Sequence, residues 1–159
     1  MADARFEDGN EKPLRLRAQS AEDLPVLAAL LQDAVFTAAD VKWQPKSRRF
    51  DLLLNRFRWE DADYARRENR AFERVRTVLT IRDVQKVASQ GLKPGNADLV
   101  LSLLTVTFTP TEDGAGYLDL TLAGDEALRL SVECLDLTLS DVTRPYRAPS
   151  GRAPEHKDL

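Results

Sequence analysis

Between Ala97 and Thr143 apolar residues recur at every second position, which is the period of a half-buried strand and not of a helix. The stretch reads as three or four consecutive strands, ADLVLSLLTVTFTP, GAGYLDLTLAGD and EALRLSVECLDLTLSDVT, so a chain built around it must be rich in sheet. Turn-forming residues at Thr111–Gly114 and Ala123–Glu126 separate the runs and predict antiparallel hairpins. The alternation changes phase twice. Leu99, Leu101 and Leu103 hand over to Leu104, Val106 and Phe108; Leu128, Leu130, Val132 and Cys134 hand over to Leu135, Leu137 and Leu139. A one-residue slip within a strand marks a β-bulge, which bends the strand and raises its twist. Two short strands meeting at a corner leave the same trace. The expected architecture is α+β: a strongly bent antiparallel sheet or partial barrel with one main N-terminal helix packed on it.

The remaining chain fits around that sheet. Residues 1–12 are polar and are expected to be mobile, residues 13–143 to form a single domain, and residues 144–159, with Pro145, Pro149 and Pro154, to be a loosely held tail. Leu14, Leu16 and Ala18 alternate as a short strand. Ser20-Ala21-Glu22-Asp23 looks like a helix start with Ser20 as cap, and Leu24, Leu27, Ala28, Leu31 and Val35 form one helical face. Gln44-Pro45-Lys46-Ser47 reads as a turn between Val41–Trp43 and a return strand holding Phe50, Leu52 and Leu54. Phe57 and Trp59 then take the opposite parity, a third slip. Glu60–Arg70 is too polar for a core segment and is expected to be a hairpin loop. Val75, Thr77, Leu79 and Ile81 share one face of a further strand. Val84–Gly91 suits either a helical turn or a continuing strand, before the break at Lys93-Pro94-Gly95-Asn96.

Several chemistries lack their residues. The one cysteine, Cys134, rules out an intrachain disulfide, and its place in an apolar alternation predicts a small buried side chain. The one histidine, His156, lies in the expected tail, a poor support for a catalytic base. Zinc-type ligand sets and phosphate-cradling glycine motifs are missing, so no metal and no cofactor is expected. Asp119, Glu133 and Asp136 are nominal acid–base candidates, although each sits where a strand would point it outward. No apolar run approaches the ~20 residues of a membrane span, and no signal-peptide pattern opens the chain. The expected compartment is the cytoplasm.

Charge is distributed unevenly. The net charge is −3, yet residues 42–86 carry 13 basic and 7 acidic side chains between two acidic flanks. The same segment holds Trp43, Phe50, Phe57, Trp59, Tyr64 and Phe72. Guanidinium groups bind carboxylates and phosphates through paired hydrogen bonds, and aromatics anchor interfaces or stack on bases. The candidate binding residues are therefore Trp43, Arg48, Arg49, Arg56, Arg58 and Trp59. The alternative is that the aromatics fill the core while the arginines cover the outer face beside Asp51, Glu60, Asp61 and Glu68. The expected function is a non-catalytic protein-binding or regulatory domain. A nucleic-acid-binding module is a second reading, disfavoured by overall acidity, and a small enzyme with a carboxylate and arginine pocket is a third. Self-association through open sheet edges is a further expectation.

The runs SAEDLPVLAALLQDAV, RRFDLLLNRFRWED, RVRTVLTIRDVQKVASQGL and LDLTLSDVTRPYRAPSGRAPEH together resemble a family of bacterial proteins known only as a domain of unknown function. The resemblance spans nearly the whole chain. Its motifs are structural runs, so it implies no active-site residue, cofactor or substrate.

Overall fold

In the computed structural model, which describes residues 13–91, 98–148 and 153–154, the alternating stretch forms four antiparallel strands. These are β7 (Val100–Pro110), β8 (Gly116–Leu122), β9 (Ala127–Val132) and β10 (Leu137–Asp141). Ahead of them come β1 (Arg15–Ala18), α1 (Leu24–Leu31), β2 (Val35–Thr37), β3 (Val41–Gln44), β4 (Arg49–Phe57), α2 (Trp59–Arg67), β5 (Glu73–Ile81) and β6 (Val84–Gln90). A short β11 (Tyr146–Arg147), in the stretch expected as tail, pairs with β5. The segments 1–12 and 92–97, together with His156, lie outside the described residues.

Among the described residues the strands form one antiparallel sheet in the order β1-β10-β5-β4-β2-β7-β8-β9-β6, with β3 and β11 attached to β4 and β5. The sheet does not close, because β1 and β6 end the path. Strand β7 joins two halves. Its start pairs with β2 and its remainder with β8, and the register shifts between Leu103 and Thr105, where the first phase slip lies. The second slip is a corner and not a bulge. β9 stops at Val132, paired to β6 and β8, and β10 starts at Leu137, paired to β1 and β5. Cys134 sits on that corner and is exposed, which corrects the buried position expected of it. The third slip is not a bulge either: β4 keeps an unbroken register with β5 from Phe50 to Phe57.

One core serves both halves of the sheet. Leu52, Leu54, Leu79, Ile81, Leu103, Leu118, Leu130, Leu137 and Leu139 are all buried in it. Each such side chain contributes roughly 1.5–3 kcal/mol by leaving water. Helix α1 buries Leu24, Leu27 and Leu31 and packs against β7 and β4. Its start lies later than expected. Ser20 makes no side-chain cap at the helix start; its carbonyl accepts the Asp23 N–H at 3.1 Å in a preceding turn. Pro25 fits the first turn, where its missing N–H has no acceptor to lose. Val35, assigned to the helical face, belongs to β2.

The second helix corrects the loop expected over Glu60–Arg70. Its first turn holds Glu60 and Asp61 and its last holds Arg66 and Arg67, each sign facing the helix end that favours it. Asn69, with φ of 53°, closes it in the left-handed conformation. Its N–H donates to the Arg66 carbonyl, and the Arg70 N–H donates to the Ala65 carbonyl at 2.8 Å. That pair of bonds is the Schellman ending of a helix. Within α2 only Asp61, Ala62 and Ala65 are buried, too small an inward face to register as apolar periodicity.

Candidate functional site

The candidate arginines lie at the two ends of strand β4. Phe50, Leu52, Leu54 and Arg56 occupy one phase of the strand, and all four are buried. Arg56 is 0% exposed. Its Nε donates to Thr77 Oγ1 at 3.0 Å, its Nη1 and Nη2 donate to the two Glu60 carboxylate oxygens at 2.8 Å each, and Nη2 also donates to Asp141 Oδ1 at 3.0 Å. Thr77 Oγ1 in turn donates to Asp141 Oδ1 at 2.7 Å. Burial works against the charge on Arg56, but hydrogen bonding and attraction from Glu60 and Asp141 outweigh it and raise its pKa further. For Glu60, burial pushes the carboxyl up, and Arg56, with help from Arg58, more than reverses this, leaving it below its ordinary value.

Arg58 is also buried and pairs with Glu73, while Asp61 accepts from Arg70 Nη2 at 2.7 Å. Trp59 packs edge-on against Phe57 with ring centroids 4.6 Å apart, and its Nε1 donates to the Gln32 carbonyl at 2.9 Å. Arg56, Arg58 and Trp59 thus form the joint between β4, α2 and the neighbouring strands. No buried side-chain nitrogen or oxygen among the described residues lacks a partner. Such a network holds elements together, and the N–H groups of Arg56 are all engaged within it.

The other end of β4 faces solvent. Pro45–Ser47 forms a 3-10 turn, followed by Arg48 in the left-handed region at φ 53°. Arg48 and Arg49 are exposed. Arg48 pairs with Glu133, and Arg49 pairs with Asp51 at 2.9 Å. Lys42 and Lys46 are exposed nearby in sequence, and Trp43 is half-buried on β3 opposite Phe50. The Arg48 carbonyl accepts the Val84 N–H at 2.9 Å, so the basic turn abuts the start of β6. Of the candidate binding residues, Trp43, Arg48 and Arg49 therefore lie at this end and Arg56, Arg58 and Trp59 at the other. A partner on Arg48 does not touch Arg56, which has no surface to offer.

The three carboxylates considered for acid–base work are held by three different arginines: Asp119 by Arg129, Glu133 by Arg48 and Asp136 by Arg17. Among the described residues no group of three or more His, Cys, Asp or Glu is placed to hold a metal ion. A cleft of about 500 Å³ runs between α1 and β7, lined by Leu24, Pro25, Ala28, Leu104, Val106 and Phe108. Its polar side chains are Gln32, Thr105 and Thr107, so no titratable group lines it. No helix among the described residues is long and apolar enough to cross a membrane.

Among the described residues, fold and site together define an open antiparallel-sheet domain with two α-helices, a buried arginine–carboxylate joint and an exposed basic turn beside a sheet edge. The family model described as "Protein of unknown function (DUF2948)" matches residues 14–156, and the chain belongs to that family. Searches of curated proteins and of solved structures found no match.

Proposed function

We propose that this chain is a non-catalytic protein-binding domain that meets its partner over the Pro45–Arg49 turn and the adjoining edge of β6. The observation carrying this reading is the hydrogen bond from the Val84 N–H to the Arg48 carbonyl. It fixes the exposed basic turn against the start of an edge strand. The cleft beside α1, lined by no titratable side chain, supports binding over catalysis. The β9–β10 corner and the register shift in β7 support a sheet bent over a common core, with α1 as its main covering helix. We place the protein in the bacterial cytoplasm, where a lone exposed thiol such as Cys134 stays reduced.

The test is affinity capture with the native chain and with an Arg48→Ser/Arg49→Ser variant, the captured protein being identified and then rebound in purified form. The variant should keep its unfolding transition and lose most of the purified partner's binding. Equal binding by both chains contradicts the reading. If the captured species is nucleic acid instead, its affinity falls steeply with added salt.

A further inference from the structure

The two edges of the sheet differ. β1 is four residues long, and two of them are Arg15 and Arg17, with Arg17 tied to Asp136 at 3.0 Å. Charge and shortness are the usual devices by which an edge resists another strand. β6 has seven residues, and beyond the register shift at Val84/Lys86 its regular part, Lys86–Gln90, carries one charge and no proline. β9 pairs with one side of β6, and among the described residues no strand pairs with the other.

Register with β9 sorts the β6 side chains by face. Val87 and Ser89 lie opposite Leu130 and Leu128, which are buried, so both stand on the core side. Val87 is half-buried against the core, and Ser89 is exposed at its rim. Lys86, Ala88 and Gln90 lie opposite Ser131, Arg129 and Ala127 on the outer face. A strand added to this edge repeats the alternation, because successive side chains of any strand point to opposite faces. Its inward residues cover Val87 at the rim of the core. Its outward residues come beside Lys86, with the basic turn at the Val84 end; Arg129, one strand further in, is already paired with Asp119.

We propose that β6 accepts, by strand addition, an extended segment of a partner protein in which acidic and apolar residues alternate. The inference rests on the docking surface proposed above and specifies its ligand. Main-chain hydrogen bonds to the free edge supply affinity, and the two faces select the pattern.

The experiment adds a short synthetic peptide alternating glutamate and valine to the full chain. Controls are a peptide of the same composition with its glutamates and valines in separate blocks and one with lysine for glutamate. The alternating acidic peptide should bind, slow hydrogen exchange at alternate amides within Lys86–Gln90, and lose about tenfold in affinity on Lys86→Glu, which turns a cross-strand attraction into repulsion. The control peptides should bind more weakly. Equal binding of the block peptide, or no slowing of exchange in β6, overturns strand addition. The docking surface survives that result if Arg48→Ser/Arg49→Ser still weakens binding, and falls with it if the double variant has no effect. Absence of any binding by the alternating peptide also overturns the proposal.

Discussion

A thiol and a carboxylate show how single residues answer to their neighbours. Cys134 donates to Asp83 Oδ2 at 3.1 Å, and that bond, followed by burial and the charges of Asp83, Asp136 and Glu133, pushes the thiol up to about 11. The thiolate is the reactive form. Alkylation of Cys134 at pH 8 should therefore run about 100-fold slower than that of a free cysteine, whose pKa lies near ~8.5–9, and Asp83→Asn should speed it. Glu60 moves in the other direction. Its pKa is lowered in the folded chain, so its contribution to stability is complete above the ordinary glutamate range near ~4.3 and fades as the pH falls through the lowered value. Thermal unfolding followed downward from about pH 5 should show a steeper loss for the native chain than for Glu60→Gln. Arg56 shares the phase of Phe50, Leu52 and Leu54, a signal of burial in the sequence, yet its charge placed it among the expected binding residues. A charge in a strand is ordinarily assigned outward, and here its partners Glu60 and Asp141 come from elements that alternation within one strand does not reveal.

Elements were readable in proportion to how much apolar surface each one buries. The strands from β7 to β10 repeat large apolar residues with period two, and their hairpins and the first phase slip follow from the residues alone. The second slip marks a corner, since a local pattern does not say which half of the sheet the next strand joins. α2 escaped that logic because its inward face is Ala62, Ala65 and the charged Asp61. Its signals were the acidic start, the basic end and Asn69. Replacing Asn69 with alanine should cost about 1 kcal/mol, the penalty for a β-carbon in the left-handed region, while Asn69→Gly should be neutral or better. Chemical denaturation of the two variants separates these outcomes. The open edge of β6 was not legible either, as edges are a property of strand order across the whole sheet.

At the scale of the molecule, a basic segment that looks uniform in sequence divides into arginines that hold the fold and arginines that face solvent. Arg56 joins β4 to α2 and to Asp141 of β10 from a fully buried position, whereas the Arg48–Glu133 and Arg49–Asp51 pairs lie at the surface. Breaking a buried pair by removing one partner costs about 3–5 kcal/mol, because the other charge is left uncompensated. An exposed pair contributes about 0–1 kcal/mol. The exposed arginine side chains of the basic turn are thus expected to contribute little to stability, which is consistent with the binding role proposed for them. Urea unfolding of Arg56→Met beside Arg48→Ser tests this division most directly. The account predicts a loss of about 3–5 kcal/mol for Arg56→Met and at most about 1 kcal/mol for Arg48→Ser; equal, small losses for both would contradict it.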